Sequence, residues 1–180
     1  IDYTTAMLDR ARDNAGELAD RIDFHLMDAE NPGFATGSFH AIVSRNLVWD
    51  LPHPEEAYAQ WCRLLAPGGV LVDYDANWYW RLHDDLAQES YQTDRAHMRS
   101  YGARDECVVS DASAMERIAR RAPLTYQVRP AWDEAVLGGL GMIDIRVDPD
   151  AWKRLWSDAD KVSNRSTPLF RLVAHKPQRA

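Results

Sequence analysis

Four short clusters carry side chains suited to chemistry: Asp2-Tyr3, Asp28-Ala29-Glu30, Arg45-Asn46 and Asp75-Ala76-Asn77-Trp78. The last three follow runs of strand type, and Ile1-Asp2 reads as the last two residues of another strand, so each cluster is expected at a strand's carboxyl end. A carboxylate placed there can accept both hydrogen bonds of a ribose diol. Trp78-Tyr79-Trp80 adds three adjacent aromatic rings. Three in a row cannot all face one core, so at least one should line a pocket or pack on another element. Asn46, Trp49, Asp50 and His53 follow one strand, and Asp75, Asn77, Trp78, Tyr79 and Trp80 follow the next. His53 precedes Pro54 at an expected helix start, which suits a cap as well as a base. The histidines, at 25, 40, 53, 83, 97 and 175, show no pair at metal-ligand spacing. Cys62 and Cys107 make neither a disulfide framework nor a metal set, so no metal site is expected.

The elements that position these clusters alternate between helix and strand. Ile1-Asp2 reads as the end of a strand, and Thr4 or Thr5 as the cap of a helix with Met7, Leu8, Ala11, Ala15 and Leu18 on its apolar face. Arg21 to Met27 alternates Ile22, Phe24 and Leu26 as a strand does. Asn31 to Ser38 holds Pro32, Gly33 and Gly37 and reads as loop. Phe39 to Ser44 is a compact apolar strand of the buried parallel type. Pro54 suits the first turn of a helix whose positive end would receive Glu55 and Glu56. Tyr58, Trp61, Cys62 and Leu65 give that helix a buried stripe. Pro67-Gly68-Gly69 stops it, and Val70 to Tyr74 is the next strand.

Residues 81–129 break this rhythm. They are mostly polar and helical in pattern, with Ser113 and Glu116 spaced as a capping box. Order then resumes with a helix over Trp132 to Leu140, a strand over Met142 to Val147, a helical stripe of Trp152, Leu155, Trp156 and Ala159, and a strand over Leu169 to Ala174. The expected organisation is a core from 1–80 and 130–180 with a helical insertion at 81–129, a lid that shapes a pocket and excludes water. Alternating strand and helix predicts an α/β fold with a doubly wound, mostly parallel sheet.

The chain has 180 residues, 46% of them hydrophobic, enough for one well-filled core. Its net charge of −7 argues against nucleic acid as a partner. No apolar run approaches the roughly 18 residues of a membrane span, and no basic-then-apolar leader is visible. A reducing, cytoplasmic setting fits the sparse cysteines. Homo-oligomerisation stays open.

Taken in order, ID, TTAML, MDAE, SRN and LLAPGGVLVDYD resemble the class I S-adenosylmethionine-dependent methyltransferases, a Rossmann-like family. The closing STPLFRLVAHKP resembles that family's antiparallel last strand. The match covers residues 1–80 and 131–177. It implies S-adenosyl-L-methionine as cofactor and S-adenosylhomocysteine as product. Asp2 then stands at the ribose-binding position, with Tyr3 and Met7 near the adenine. Asp28 resembles the acceptor of the adenine amino group, with the Ala29 backbone beside it, and Arg45 lies near the methyl donor. Asn46, Trp49, Trp78 and Tyr79 are the expected substrate-binding residues. No Asn-Pro-Pro-aromatic run follows Phe39–Ser44, where SRNLVW stands instead. With the acidic charge, this favours a small-molecule acceptor over DNA or a glutamine amide.

The family also has a first strand and a glycine-rich turn that precede the Asp2 position, and this chain shows neither. About 30 residues of a βαβ half-unit are therefore expected to be missing, from the centre of the sheet. Two other readings compete. One is a cofactor-free scaffold of the same fold that binds a partner. The other is an NAD-dependent oxidoreductase, disfavoured because no Tyr-x-x-x-Lys or similar hydride-transfer signature appears.

Overall fold

The computed structural model describes residues 1–100 and 112–178. Four strands form one sheet: β1 (Phe39–Arg45), β2 (Leu65–Asp75), β3 (Ile143–Asp148) and β4 (Phe170–His175). Their spatial order is β1-β2-β4-β3. β1 and β2 are parallel, and β4 runs antiparallel to both β2 and β3. This is a Rossmann-like arrangement of parallel strands closed by an antiparallel pair. The helices are α1 (Thr5–Ala15), α2 (Pro54–Leu64), α3 (Asp85–Ser100), α4 (Ala112–Ala119), α5 (Ala131–Gly139), α6 (Trp152–Leu155) and α7 (Asp158–Ser163).

The best-packed part lies between α2, α5 and the sheet. Pro54 opens α2, with Glu55 and Glu56 in its first turn. Tyr58, Trp61, Cys62 and Leu64 are buried along it, and Leu65 continues the stripe into β2. Leu71 and Leu172 meet them from the sheet and Leu137 from α5. Each such side chain contributes about 1.5–3 kcal/mol when fully buried. The first half of β2 needs glycine twice. Gly68 has φ +75°, and a Cβ on Gly69 would lie 2.9 Å from the Ala66 carbonyl oxygen.

Register brings the two parallel strands to an end together. Val43 stands opposite Val72 and Arg45 opposite Tyr74. The Asn46 N–H then donates to the Tyr74 carbonyl at 2.8 Å. The loops after β1 and β2 therefore start side by side.

Several expected elements take another form. Arg21 to Met27 is not a strand: Arg21 ends a 3-10 turn (Gly16–Arg21), and Ile22 to Met27 is extended chain that makes one parallel bridge, Asp2 to Leu26. Of its alternating residues Phe24 is half-buried under Arg12, while Ile22 and Leu26 are exposed. Ser113 lies inside α4, where its Oγ accepts from Arg117, so it is no N-cap. The stripe from Trp152 to Ala159 is two short helices, broken where Ser157 caps α7 with a full capping box. Thr4 is the N-cap residue of α1, but its hydroxyl donates to Asp2 instead of accepting from the helix. Cys107 lies outside the described residues.

The apolar strand β1 is not buried as its composition predicts. Among the described residues it has one hydrogen-bonded neighbour, β2. Only Ser44 is buried along it, and Val43 is 64% exposed. Beyond that open edge stand α1 and the Asp2–Leu26 bridge, with only Leu8 of α1 buried.

Candidate functional site

The space between the open edge of β1 and the bridge at Asp2 is a cavity of about 1050 Å³. Asp2, Tyr3 and Met7 line it from one side, Asp28, Ala29 and Glu30 from below, and Ala41 to Leu47 from β1. All six residues expected to hold the cofactor thus face one cavity, Arg45 included. Tyr3 and Met7 are more than half exposed there, so neither is consumed by a core. Asp2 Oδ1 accepts the Thr4 N–H at 2.8 Å and Asp28 Oδ1 accepts the Glu30 N–H at 2.8 Å. Each carboxylate is therefore oriented by its own turn. The Trp61 indole donates to the Ala29 carbonyl at 2.8 Å and ties this loop to the core. Glu30 reaches on to His53, accepting its backbone N–H at 2.5 Å and lying 3.1 Å from its Nδ1. That contact raises the pKa of His53, which stands at the N-cap of α2 as expected, with no side-chain capping bond.

A second, smaller cavity of about 290 Å³ opens on the other side of the strand-end loops. Asn46, Trp49, Trp78 and Tyr79, the four expected substrate residues, all line it. Trp49 and Tyr79 pack on each other with ring centroids 5.2 Å apart. Arg81, Tyr91, Arg95 and residues of 163–167 complete the lining, and Arg81 lies 5.5 Å from the Tyr79 ring centroid. Arg81 lies 4.0 Å and Arg95 5.1 Å from the Tyr91 centroid. Trp80 turns away and packs edge-on against His83 at 4.2 Å.

Asn46 lines both cavities. Its φ of 52° is left-handed, a conformation Asn tolerates better than most residues. That turn places the residue between the two spaces.

Beneath the loops lies a buried ionic network. Arg129, 3% exposed, pairs with Asp73, Asp75 and Asp133, all three fully buried. Asp75 is its link to the site. Its Oδ2 accepts the Trp49 N–H at 3.0 Å, and its Oδ1 accepts the Trp78 indole at 3.0 Å and the Ala76 N–H at 2.9 Å. One carboxylate thus fixes two walls of the smaller cavity. Burial and the neighbouring Asp75 raise Asp73 to about pH 7, while Ser44 and Arg129 bond its carboxyl. Burial and Asp75 also raise Asp50, on the wall of the larger cavity.

Sequence reasoning missed Asp73, Arg129, Asp133, Arg81 and Tyr91. A signal existed for the first three. Asp73 and Asp75 are two acids on the same face of a buried strand, which demands a cation. Arg129 and Asp133 are spaced i, i+4. Nothing in the polar pattern of 81–100 singles out its arginines.

Residues 1–73 match the family model described as a methyltransferase domain. The biotin biosynthesis bifunctional protein BioHC of Teredinibacter turnerae is 30% identical over 97 residues, 48% of this chain and 17% of that protein. Phosphoethanolamine N-methyltransferase 2 of Haemonchus contortus, solved with S-adenosyl-L-methionine, superposes with a TM-score of 0.60 at 18% identity. That alignment covers 98% of this chain and 42% of the other. The carbon methyltransferase CurJ gives 0.56 at 16% identity, over 98% and 40% of the two chains. The [4+2]-cyclase SpnF gives 0.54 at 13%, over 97% and 64%. The chain spans less than two thirds of each of these proteins. At such identities the superpositions speak for the fold, which hosts more than one reaction. The resemblance to class I S-adenosylmethionine-dependent methyltransferases thus rests on a methyltransferase-domain match over residues 1–73 and on their fold over nearly the whole chain.

Proposed function

We propose that the chain is part of an S-adenosylmethionine-dependent methyltransferase that acts on a small molecule. The observation that carries this is Asn46, which lines a large cavity bearing the expected cofactor residues and a small one bearing the expected substrate residues. A methyl donor and its acceptor must meet in line, and two adjoining cavities that share one wall allow that.

The residues present fit the cofactor. Asp2 receives the ribose diol, and Tyr3 and Met7 offer exposed apolar surface to the adenine. Asp28 accepts the adenine amino group beside the Ala29 backbone, and Arg45 lies toward the shared wall. When bound, the cofactor supplies an activated methyl group on sulfur. The chain's own task is to hold the acceptor's nucleophilic atom near Asn46 and to keep water out. Trp49, Trp78 and Tyr79 provide that dry wall, and α3, which contributes Tyr91 and Arg95 to the lining, covers it as a lid.

This reading also places a further strand beside β1, in the space between β1 and the Asp2–Leu26 bridge. Support comes from the apolar outer edge of β1 and from Val43, which is exposed there. A strand laid in that space would pair with β1 and complete the cofactor cavity. An acidic chain with a cavity of about 290 Å³ favours a compact acceptor over nucleic acid.

Calorimetric titration of S-adenosylhomocysteine, with NAD as control, into the protein carrying that strand tests the reading. Binding of S-adenosylhomocysteine alone, lost on Asp2→Ala, is expected. Binding of neither compound would favour the cofactor-free scaffold, and binding of NAD alone an oxidoreductase.

A further inference from the structure

The charged groups that line the smaller cavity are spent on the protein's own structure. Arg81 pairs with Glu116 at 2.8 Å, donates to Gln88 at 3.2 Å and lies over the rings of Tyr79 and Tyr91. Arg95 donates to the Ser163 carbonyl and lies 5.1 Å from the Tyr91 centroid. Among the described residues no carboxylate lines the cavity. A ligand ammonium would find no counterion there, and a ligand carboxylate would compete with Glu116 for Arg81.

The neutral polar groups are in the opposite condition. Asn46 reaches the cavity from the loop after β1, and Asn164, Ser166 and Thr167 reach it from the segment between α7 and β4. Their backbones are held: the Ser166 N–H donates to the buried Asp94 carboxylate at 2.7 Å, and the Thr167 N–H to the Asn164 carbonyl at 2.9 Å. Their side chains make no hydrogen bond to any described residue. Trp78 offers the cavity only its ring, because its indole N–H is given to Asp75. At about 290 Å³ the cavity stands at the lower end of the range for small-molecule sites, which suits a single ring.

Resting on the proposed methyltransferase reading, we infer that the acceptor is an uncharged, single-ring compound with hydroxyl groups at its edge. Asn, Ser and Thr side chains both donate and accept, and a hydroxyl answers both; a carboxylate only accepts and an ammonium only donates. The ring's apolar face lies on Trp49 and Trp78. One edge hydroxyl meets Asn46, and another meets the group of Asn164, Ser166 and Thr167. Asn46 lines both cavities, so the hydroxyl it holds lies beside the cofactor. A hydroxylated aromatic ring and a sugar ring share this chemistry.

The test uses five one-ring probes: resorcinol, methyl β-D-glucopyranoside, toluene, benzoate and benzylamine. Each is titrated into the full-length protein saturated with S-adenosylhomocysteine, and Trp indole signals are followed by NMR. The better of the two hydroxylated probes should bind roughly fivefold or more tightly than toluene, benzoate and benzylamine, as hydrogen bonds at two edges predict. Tighter resorcinol assigns an aromatic acceptor, and tighter glucopyranoside a sugar. Thr167→Val, which keeps the side chain's shape, and Asn164→Ala should reduce the preference over toluene several-fold when combined. Asn46→Gly, which keeps the left-handed turn, should reduce it separately. Affinity for toluene should stay the same in all of them, which separates lost hydrogen bonds from a lost cavity. Toluene binding as well as the hydroxylated probes, benzoate or benzylamine binding tightest, binding of none, or variants that keep the full preference would overturn the inference. Failure to bind S-adenosylhomocysteine would instead strike at the methyltransferase reading, which the first titration reads separately.

Discussion

Arg129 Nη1 donates to Asp75 Oδ2 at 2.5 Å, across 54 positions of sequence. The same guanidinium reaches Asp133 through Nε and Nη2 and Asp73 through Nη2. One cation therefore holds three buried carboxylates. Asp75 passes this order outward to the Trp49 backbone and the Trp78 indole. Two lining residues of the smaller cavity are thus tied to a buried charge that does not itself line it.

Removing that charge should be severe. Arg129→Met leaves the carboxylates without their counterion and is expected to cost about 3–5 kcal/mol. Arg129→Lys should recover little, because one ammonium cannot reproduce bonds to three acids from a planar fork. Urea unfolding at neutral pH reads both. A loss below about 1 kcal/mol for Arg129→Met would mean the network contributes little.

Asp73 predicts a pH dependence of stability. Its folded pKa, about 7, lies above the ordinary carboxyl range near 4, so the folded state binds the proton more tightly. Its contribution is then fully present below about pH 4 and is lost as pH rises to about 7. For one proton the slope is at most about 1.4 kcal/mol per pH unit. Asp73→Asn should remove this part. The stability of the natural protein minus that of the variant is expected to fall between pH 4 and 7, in paired denaturant titrations. A difference that stays flat with pH would refute the assignment.

Much of this architecture was legible because it rests on local rules. Pro54 with Glu55 and Glu56 marks a helix start, and Tyr58, Trp61 and Cys62 mark its buried face. Two of the four clusters, Arg45-Asn46 and Asp75 to Trp78, stand at the ends of β1 and β2 and were legible for the same reason: apolar runs end where polar residues begin. All ten expected site residues line one or other of two adjoining cavities. What escaped depends on distance in sequence. No local pattern says that Arg129 will pair with Asp75, or that Arg81 and Arg95 will share Tyr91. Arg21 to Met27 failed for another reason. Alternation makes a strand only when a neighbour offers hydrogen bonds, and here the neighbour contributes a single bridge.

The contact between His53 and Glu30 gives a titration with a definite sign. The carboxylate raises His53 above its ordinary value near 6.5. The favourable pairing is fully present below that value and lost as pH rises through the raised one. In an NMR titration His53 should show a midpoint above 6.5, and Glu30→Gln should lower it. His53 is exposed, so no large change in stability should accompany the shift. A midpoint indifferent to Glu30→Gln would remove the pairing from the account.

The open edge of β1 predicts how the 180-residue chain behaves in solution. Unpaired strand edges with apolar side chains template pairing with other chains. Val43, 64% exposed in the middle of β1, is the most accessible such residue on that strand. A charge there should discourage edge-to-edge contact without touching the core between α2 and the sheet. Val43→Lys is therefore expected to reduce concentration-dependent self-association of the 180-residue chain, measured by light scattering, while leaving its unfolding midpoint nearly unchanged. In the protein that carries a strand beside β1, the same substitution should destabilise, because that strand would cover Val43. Opposite effects in the two proteins would locate the strand against β1. Destabilisation in the short chain alone would place Val43 in a packed interior and refute the open edge.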